Sequence, residues 1–232
     1  MSETQMISWI IPAYNEENRI QKTMTSLVNE FQGLKYEILV IDDGSTDNTS
    51  NIVDVLCKNC IHYTLVKAEH RGRGGALKLG IQRAVGDMVV LSSADIVIQR
   101  ENLLKSLELL KRSSDIVMLS KYLTGSQVIA RKTARNKLGL IFMFLVRWLF
   151  HVQFRDTQGV KLCRSDVIKS LSDHSSFDDY LFDTEVAIQA HRQGFVVSEV
   201  PWSFVEVEGS KVRLIDVPKM FVGLLKLRFK VI

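Results

Sequence analysis

YEILVIDDGSTD, residues 36–47, reads as a buried strand that releases two carboxylates into a tight turn. Tyr36 to Ile41 is rich in β-branched and aromatic residues. Asp42 and Asp43 then leave the strand together, and Gly44-Ser45-Thr46-Asp47 supplies turn chemistry. A carboxylate at such a strand end can accept hydrogen bonds from ribose hydroxyls or from a base N–H. As turn and cap residues, the same two aspartates would serve only the fold.

The flanking sequence repeats this unit. Upstream, Ile7 to Ile11 is an apolar run ending at Pro12, and a helix is expected from about Glu17, with Ile20, Met24, Leu27 and Phe31 along one face. Downstream come a helix over Asn48 to Lys58, a strand over Tyr63 to Lys67, a glycine-rich turn, and a helix over Ala76 to Val85. A strand at Met88 to Leu91, a helix near Glu101 to Lys111 and a strand at Asp115 to Leu119 complete the alternation. Repeated βα units of this length predict an α/β fold with a mostly parallel, Rossmann-like sheet flanked by helices. Ligands of such sheets bind beyond the carboxyl ends of the strands. Pro12 to Glu16, Asp42 to Asp47 and Ser92 to Asp95 all fall there, which is the geometry of a nucleotide site.

From about Ser120 the pattern is less regular. A basic and very apolar segment covers Arg131 to Arg155, a helix is expected over about Asp178 to Gln193, and a basic amphipathic helix begins near Asp216. The expected organisation is one domain over 1–215, with a membrane-facing segment at about 131–155, followed by a C-terminal helix over 216–232. The 232 residues suffice for one full hydrophobic core, and 46% hydrophobic with 24% charged residues fits a globular chain. Net charge is +4, an excess whose local clustering matters more than its size, and nothing in it points to nucleic acid. Cys57, Cys60 and Cys163 cannot all pair, and no second CxxC or His pair completes a zinc site around Cys57-Lys-Asn-Cys60. Reduced cysteines suit a cytosolic compartment. The N-terminus starts polar and runs into a strand, so no signal peptide is read there. The longest apolar run, Leu138 to Phe150, is broken by Arg147 and falls short of the ~20 residues of a membrane-spanning helix.

Gly72-Arg73-Gly74-Gly75 before a helix has the look of a phosphate cradle, but Leu77 stands where a dinucleotide fingerprint has its third glycine. Ser93-Ala94-Asp95 closes the fourth strand. A D-x-D pair there would hold a divalent cation against a diphosphate, and here one carboxylate is missing.

IIPAYNEE, VIDDGSTDNT, GRGGALKLGI, SKYLTGS, RDTQGVKL and VEGSKV occur in the order found in dolichyl-phosphate mannose and glucose synthases, and the chain resembles that family 2 glycosyltransferase group over nearly its whole length. The resemblance implies a GT-A fold and inverting transfer of a hexose, glucose or mannose, from a UDP- or GDP-sugar to dolichyl or another polyprenyl phosphate. It implies nucleotide contacts at Pro12, Tyr14, Glu16, Ile41 and Asp43, and a metal motif at Ser93, Ala94 and Asp95 for Mg2+ or Mn2+. Lys121 and Lys211 match basic positions facing the diphosphate or acceptor phosphate, Arg131 and Arg135 match positions facing the lipid phosphate, and Asp95, Asp156, Gln158 and Lys211 are the candidate catalytic set. There are three departures. Ser93 replaces the first metal Asp, which weakens metal binding. RDTQGVKL lacks a residue between Gln158 and Gly159. The loop before Gly209-Ser210-Lys211 is short and carries Glu206 and Glu208.

No catalytic base is conspicuous, and a phosphate acceptor needs none, because a monoester with a second pKa of ~6 is largely dianionic at neutral pH. Such an enzyme must instead bring two anions together with basic side chains and a metal. Arg131 and Arg135, four apart, share a helix face just before the apolar run containing Trp148. That order favours a helix lying in the headgroup region over a core helix. Lys226, Arg228 and Lys230 repeat the theme near the C-terminus. The expected setting is the cytosolic face of a membrane, as a peripheral enzyme, a catalytic subunit held by a membrane-anchoring partner, or a chain cut before its own anchor. Two other readings compete: a family 2 transferase that extends a glycan at a hydroxyl, and a non-catalytic sugar-nucleotide-binding subunit, for which Ser93 is the motive.

Overall fold

The computed structural model describes the backbone of residues 5–126, 128–129, 133–202, 204–205 and 217–229, and the side chains of these except 128–129, 133–136, 204–205 and 217–218. Seven strands form one sheet: β1 Met6–Ala13, β2 Lys35–Asp42, β3 Tyr63–Lys67, β4 Met88–Leu91, β5 Ile116–Ser120, β7 Lys161–Arg164 and β8 Val197–Pro201, in the order β3-β2-β1-β4-β7-β5-β8. β6 Val128–Ile129 and β9 Phe204–Val205 pair separately. The helices are α1 Ile20–Glu30, α2 Thr49–Asn59, α3 Arg73–Arg83, α4 Arg100–Arg112, α5 Thr133–Phe150, α6 Ser165–Asp173, α7 Leu181–Arg192 and α8 Val217–Phe229.

Every pairing in the large sheet is parallel except those of β7, which runs antiparallel between β4 and β5. β4 and β5 are buried at every position, as strands covered on both faces must be. Side-chain alternation sorts β1 between two cores. Ile10 faces α3, α6 and α7, whereas Trp9 and Ile11 face α1, α2 and α4.

The expected alternation is present, with shifted helix starts that have local causes. α1 begins at Ile20 rather than near Glu17, because Arg19 and Ile20 both donate their N–H to Glu16 O and close a turn first. Asn15 does not cap α1. It takes φ 52° and its Oδ1 accepts the Thr46 N–H at 2.8 Å, tying the β1 loop to the β2 loop. α3 starts at Arg73, so two glycines lie inside its first turn. β7 was not anticipated, since KLCR offers neither an apolar run nor alternation.

The inversion of β7 matters for the site. Lys161, its first residue, pairs with Leu91 at the end of β4 and with Met118 near the end of β5. The loop entering β7, residues 156–160, therefore emerges at the same sheet edge as the loops leaving β1, β2, β4 and β5. α8 closes on α7, where a Cβ at Gly223 would lie 2.0 Å from Leu181 Cδ1. Among the described residues no helix is long and apolar enough to cross a membrane.

Candidate active site

The two aspartates that end β2 divide their work. Asp42 is internal: its Oδ1 accepts the Ser45 N–H at 2.9 Å and its Oδ2 accepts the Ser50 hydroxyl, so it is the turn residue. Asp43 accepts the Arg71 N–H on Oδ1 at 2.8 Å and the Gly72 N–H on Oδ2 at 2.9 Å. His70 approaches the same carboxylate through Nδ1 at 2.8 Å, and its ring stacks on Tyr14 with centroids 4.3 Å apart. Asp43 thus joins the β1, β2 and β3 loops into one wall. His70 went unnoticed in the sequence, although it stands two residues before Gly72.

The glycine-rich turn is a joint rather than a phosphate cradle. The N–H groups of Arg71 and Gly72 go to Asp43, and that of Gly75 goes to Asp178 O at 3.0 Å. Gly74 is a packing requirement, since a Cβ there would sit 2.7 Å from Phe182 Cβ and 2.8 Å from the Asp178 carbonyl carbon.

On the β1 side, Glu16 is held by Thr49, whose hydroxyl accepts its N–H at 2.7 Å, and by Arg19 at 2.5 Å. Arg19 also comes within 3.9 Å of Asp95 Oδ2, so Glu16 and Asp95 face one guanidinium. Asp95 is partly exposed, and the Ser93 hydroxyl donates to its Oδ1 at 2.5 Å. Ala94 is buried with its carbonyl held by Thr23 at 2.6 Å, which pins the loop to α1. Pro12 is half-buried at the end of β1, whereas the Ile41 side chain lies wholly in the core and leaves only its backbone for any ligand.

Lys121, Asp156 and Gln158 also come together. Asp156 is buried, and it accepts the Gln158 N–H at 2.9 Å and the Lys121 N–H at 3.4 Å. Glu199 of β8 supports this loop by accepting the N–H groups of Arg155 at 3.0 Å and Asp156 at 3.1 Å. Burial pushes the Glu199 carboxyl above its ordinary range. The Gln158 amide donates to Thr184 Oγ1 at 2.8 Å, so half of its side chain is engaged inside the protein. Arg131 and Lys211 lie outside the described residues, as does the side chain of Arg135.

Beneath these loops sits a buried charged group. Asp183 and Lys161 are fully buried and meet at 2.8 Å, and Arg73 Nε donates to Asp183 Oδ2 at 2.9 Å. Burial would raise the Asp183 carboxyl, but the charges and hydrogen bonds of Arg73 and Lys161 outweigh it and hold it below the usual range. Cys163, next to this group in β7, is driven by burial up to about 12 and is therefore an inert thiol.

The donor set fits a divalent cation only in a particular way. Among the described residues no three His, Cys, Asp or Glu side chains gather as ligands. Of the Ser93-Ala94-Asp95 segment, Asp95 offers an exposed carboxylate. One or two carboxylates completed by substrate phosphate oxygens is how Mg2+ is commonly bound, so Asp95 suits a cation that arrives with a diphosphate. Ser93 orients Asp95 instead of adding charge. Ser93→Asp is accordingly expected to tighten Mn2+ binding in the presence of UDP by ~10-fold, equal to ~1.4 kcal/mol, read as the metal concentration giving half of the thermal shift. An unchanged midpoint would mean that the cation does not sit between these two positions.

The outer side of the molecule next to this edge is apolar. α5 buries Met143, Val146 and Phe150 but exposes Leu140, Ile141, Phe144 and Trp148, the last two at 66%. The greasy run is therefore not sealed in the core. Its inner face meets the loops of Gln158 and Lys121 directly: Thr157 Oγ1 donates to Met143 Sδ at 3.4 Å, and a Cβ at Gly139 would lie 2.4 Å from Tyr122 Oη. α8 adds exposed Phe221, Val222 and Phe229.

A mostly parallel seven-stranded sheet flanked by helices, with one inverted strand between β4 and β5, is the GT-A architecture of nucleotide-sugar transferases. The comparisons narrow the class. Residues 8–172 match Glycosyl transferase family 2, and the chain belongs to that family. It is 32% identical to dolichyl-phosphate beta-glucosyltransferase of Saccharomyces cerevisiae, over 97% of this chain and 75% of that protein. With the Homo sapiens protein of the same description it shares 30% identity over 91% of this chain and 71% of the other. Among solved structures, glucosyl-3-phosphoglycerate synthase from Mycobacterium tuberculosis, in complex with Mn2+, UDP and phosphoglyceric acid, aligns with a TM-score of 0.72. The identity is 19%, over 98% of this chain and 80% of that one, a likeness of fold.

Proposed function

We propose that this chain transfers glucose from UDP-glucose, with inversion, to dolichyl or another polyprenyl phosphate, as a peripheral enzyme on the cytosolic face of a membrane. The observation that carries the acceptor is α5. It packs by Met143 and Gly139 onto the loops of Gln158 and Lys121 while presenting Phe144 and Trp148 outward. A contiguous exposed aromatic face with a polar rim belongs at an interface. Exposed Lys137, Arg147, Lys226 and Arg228 would add ~1 kcal/mol each near anionic lipid. The relatives described as dolichyl-phosphate glucosyltransferases support the same acceptor.

The donor reading rests on Asp43. Each of its oxygens already takes a backbone N–H, and the residue is almost wholly buried. Its remaining capacity suits the single N–H of uracil better than the paired N–H groups that guanine would direct at both oxygens. Pro12, Tyr14, Glu16 and the Ile41 backbone complete the nucleoside wall. Asp95 would be the residue to hold a Mg2+ or Mn2+ ion, whose chemistry there would be Lewis-acid neutralisation of the departing diphosphate. Lys121 and Lys211 add positive charge beside the phosphates, Arg131 and Arg135 receive the lipid phosphate, and Asp156 with Gln158 orients the sugar. The acceptor arrives ionised, so no side chain need remove a proton. Residues 1–215 act as one transferase domain with 131–155 as its membrane-facing segment, and the basic helix α8 Val217–Phe229 follows it.

Purified protein with vesicles containing a polyprenyl phosphate should move label from UDP-glucose into the lipid fraction in the presence of Mg2+ or Mn2+. Transfer only to hydroxyl acceptors would replace this reading with glycan extension, and nucleotide binding without any turnover would favour a non-catalytic subunit, the role that Ser93 suggests. Phe144→Ser with Trp148→Ser should lower vesicle binding by at least ~10-fold while leaving UDP affinity intact. Undiminished vesicle binding would remove the membrane face from the proposal.

A further inference from the structure

Lys161, Asp183 and Arg73 together touch both loops on which transfer is proposed to depend. The Lys161 ammonium donates to Thr157 O at 2.7 Å, to Gly159 O at 3.2 Å and to Asp183 Oδ1 at 2.8 Å, so all three of its protons are matched. Thr157 and Gly159 flank Gln158. Arg73 donates through Nε to Asp183 Oδ2 and through Nη1 to Ser92 O, both at 2.9 Å, and Ser92 immediately precedes Ser93-Ala94-Asp95. Asp183 sits on α7, Lys161 on β7 and Arg73 on α3, so the hub is carried by three rigid elements.

A purely structural role is poorly served by this chemistry. Removing three charges from water is costly, and well-packed apolar residues of similar volume commonly hold a core as well or better. Charges do offer strong, directional hydrogen bonds to backbone carbonyls, which fix a loop more tightly than packing does. We propose that Asp183 and Lys161 are positioning residues: through one buried hub they hold the Ser93–Asp95 loop and the Asp156–Gln158 loop at a fixed spacing, so that donor diphosphate and acceptor phosphate meet in line. This rests on the transferase reading above. Positioning of this kind is sensitive, because a shift of ~1 Å can cost ~100-fold in rate.

The test compares Lys161→Met and Asp183→Leu with the double variant carrying both. Each single change leaves a buried charge without its partner, so both should lower the melting temperature. The double variant removes the pair and should recover most of that loss, yet its kcat for lipid-linked transfer should stay ~30-fold below wild type. UDP affinity measured without metal should change by less than ~3-fold, because the two substitutions leave Arg73 in place and do not alter the Asp43 contacts to Arg71 and Gly72. Hydrogen exchange supplies a reading that needs no turnover. Amides in 92–95 and 156–160 should exchange ~10-fold faster in the double variant, while those in 41–47 keep their rates. A double variant with wild-type kcat overturns the hub, and so does one whose loops exchange at wild-type rates. If wild type transfers nothing to a lipid phosphate, the acceptor reading fails by itself and the exchange rates still decide the hub.

Discussion

Asp43→Ala is expected to reduce UDP affinity by at least ~100-fold, the equivalent of ~2.7 kcal/mol, and to destabilise the protein as well. The two losses have one origin. The carboxylate fixes the Arg71 and Gly72 amides and the His70 ring, and in the proposed donor site its remaining lone pairs would go to the base. Hydrogen bonds to a charged group are worth ~1.5–3 kcal/mol each, and the orphaned amides of a half-buried loop recover only part of that from water. Asp43→Asn separates the roles. Its one acceptor oxygen can keep a single backbone N–H, so stability should fall less while the base still loses a full carboxylate. Titration calorimetry with UDP, beside thermal melts of the three proteins, gives both numbers. UDP affinity within ~3-fold of wild type in Asp43→Ala would remove Asp43 from the nucleotide wall. Asp42→Asn is the companion variant. The Asp42 carboxylate is engaged by Ser45 and Ser50 within its own turn, so its loss should cost stability with little effect on nucleotide affinity beyond that of the loosened turn.

The difference between these neighbours shows what sequence can and cannot reveal. That β2 ends in two carboxylates is local information, carried by an apolar run and a turn, and it was legible. So were the strands β1 to β5 and the loops at their carboxyl ends, because βα repetition and turn chemistry act over a few residues. Which aspartate ties the neighbouring loops together is decided by Arg71 and Gly72, 28 and 29 residues away from Asp43, and no pattern around VIDDGS contains it. β7 is a sharper case. Its four residues include a lysine and an arginine, which ordinarily mark a surface, and lysine is almost never fully buried unless paired. Its pairing partner Asp183 stands 22 residues downstream on α7. The one available hint was an isolated lysine in Val160-Lys161-Leu162-Cys163, with apolar residues on both sides. Arg19 was equally silent, since an arginine in a first helical turn is normally a solvated residue, and only the approach of Asp95 from β4 gives it significance.

Gly159→Ala should be the most damaging single-methyl change near the site, with kcat for transfer down by at least ~100-fold and stability lowered by ~1–3 kcal/mol. An added Cβ would stand 1.8 Å from Leu119 O and 3.0 Å from its carbonyl carbon. Leu119 cannot retreat, because it lies in β5, paired with β8 on one side and with its N–H donated to Val160 O at 2.8 Å on the other. The loop must therefore move. Any displacement pulls the Gly159 carbonyl from Lys161, disturbs Asp156, whose Oδ2 is only 3.8 Å from the added carbon, and shifts Gln158 between them. The damage should thus concentrate on the acceptor side. UDP affinity should survive, since Asp43, Tyr14 and Glu16 hang from other strands, and the melting temperature should fall without loss of the fold. Steady-state kinetics with a polyprenyl phosphate and a urea melt measure the two effects. Gly80→Ala provides the contrast: its Cβ would meet the Ile10 Cγ2 methyl at 2.4 Å in the core, a clash of similar severity placed away from the loops. That variant should lose stability with kcat largely retained. If both glycine variants lose rate and stability in the same proportion, the loop before β7 has no special part in transfer, and the inverted strand serves the sheet alone.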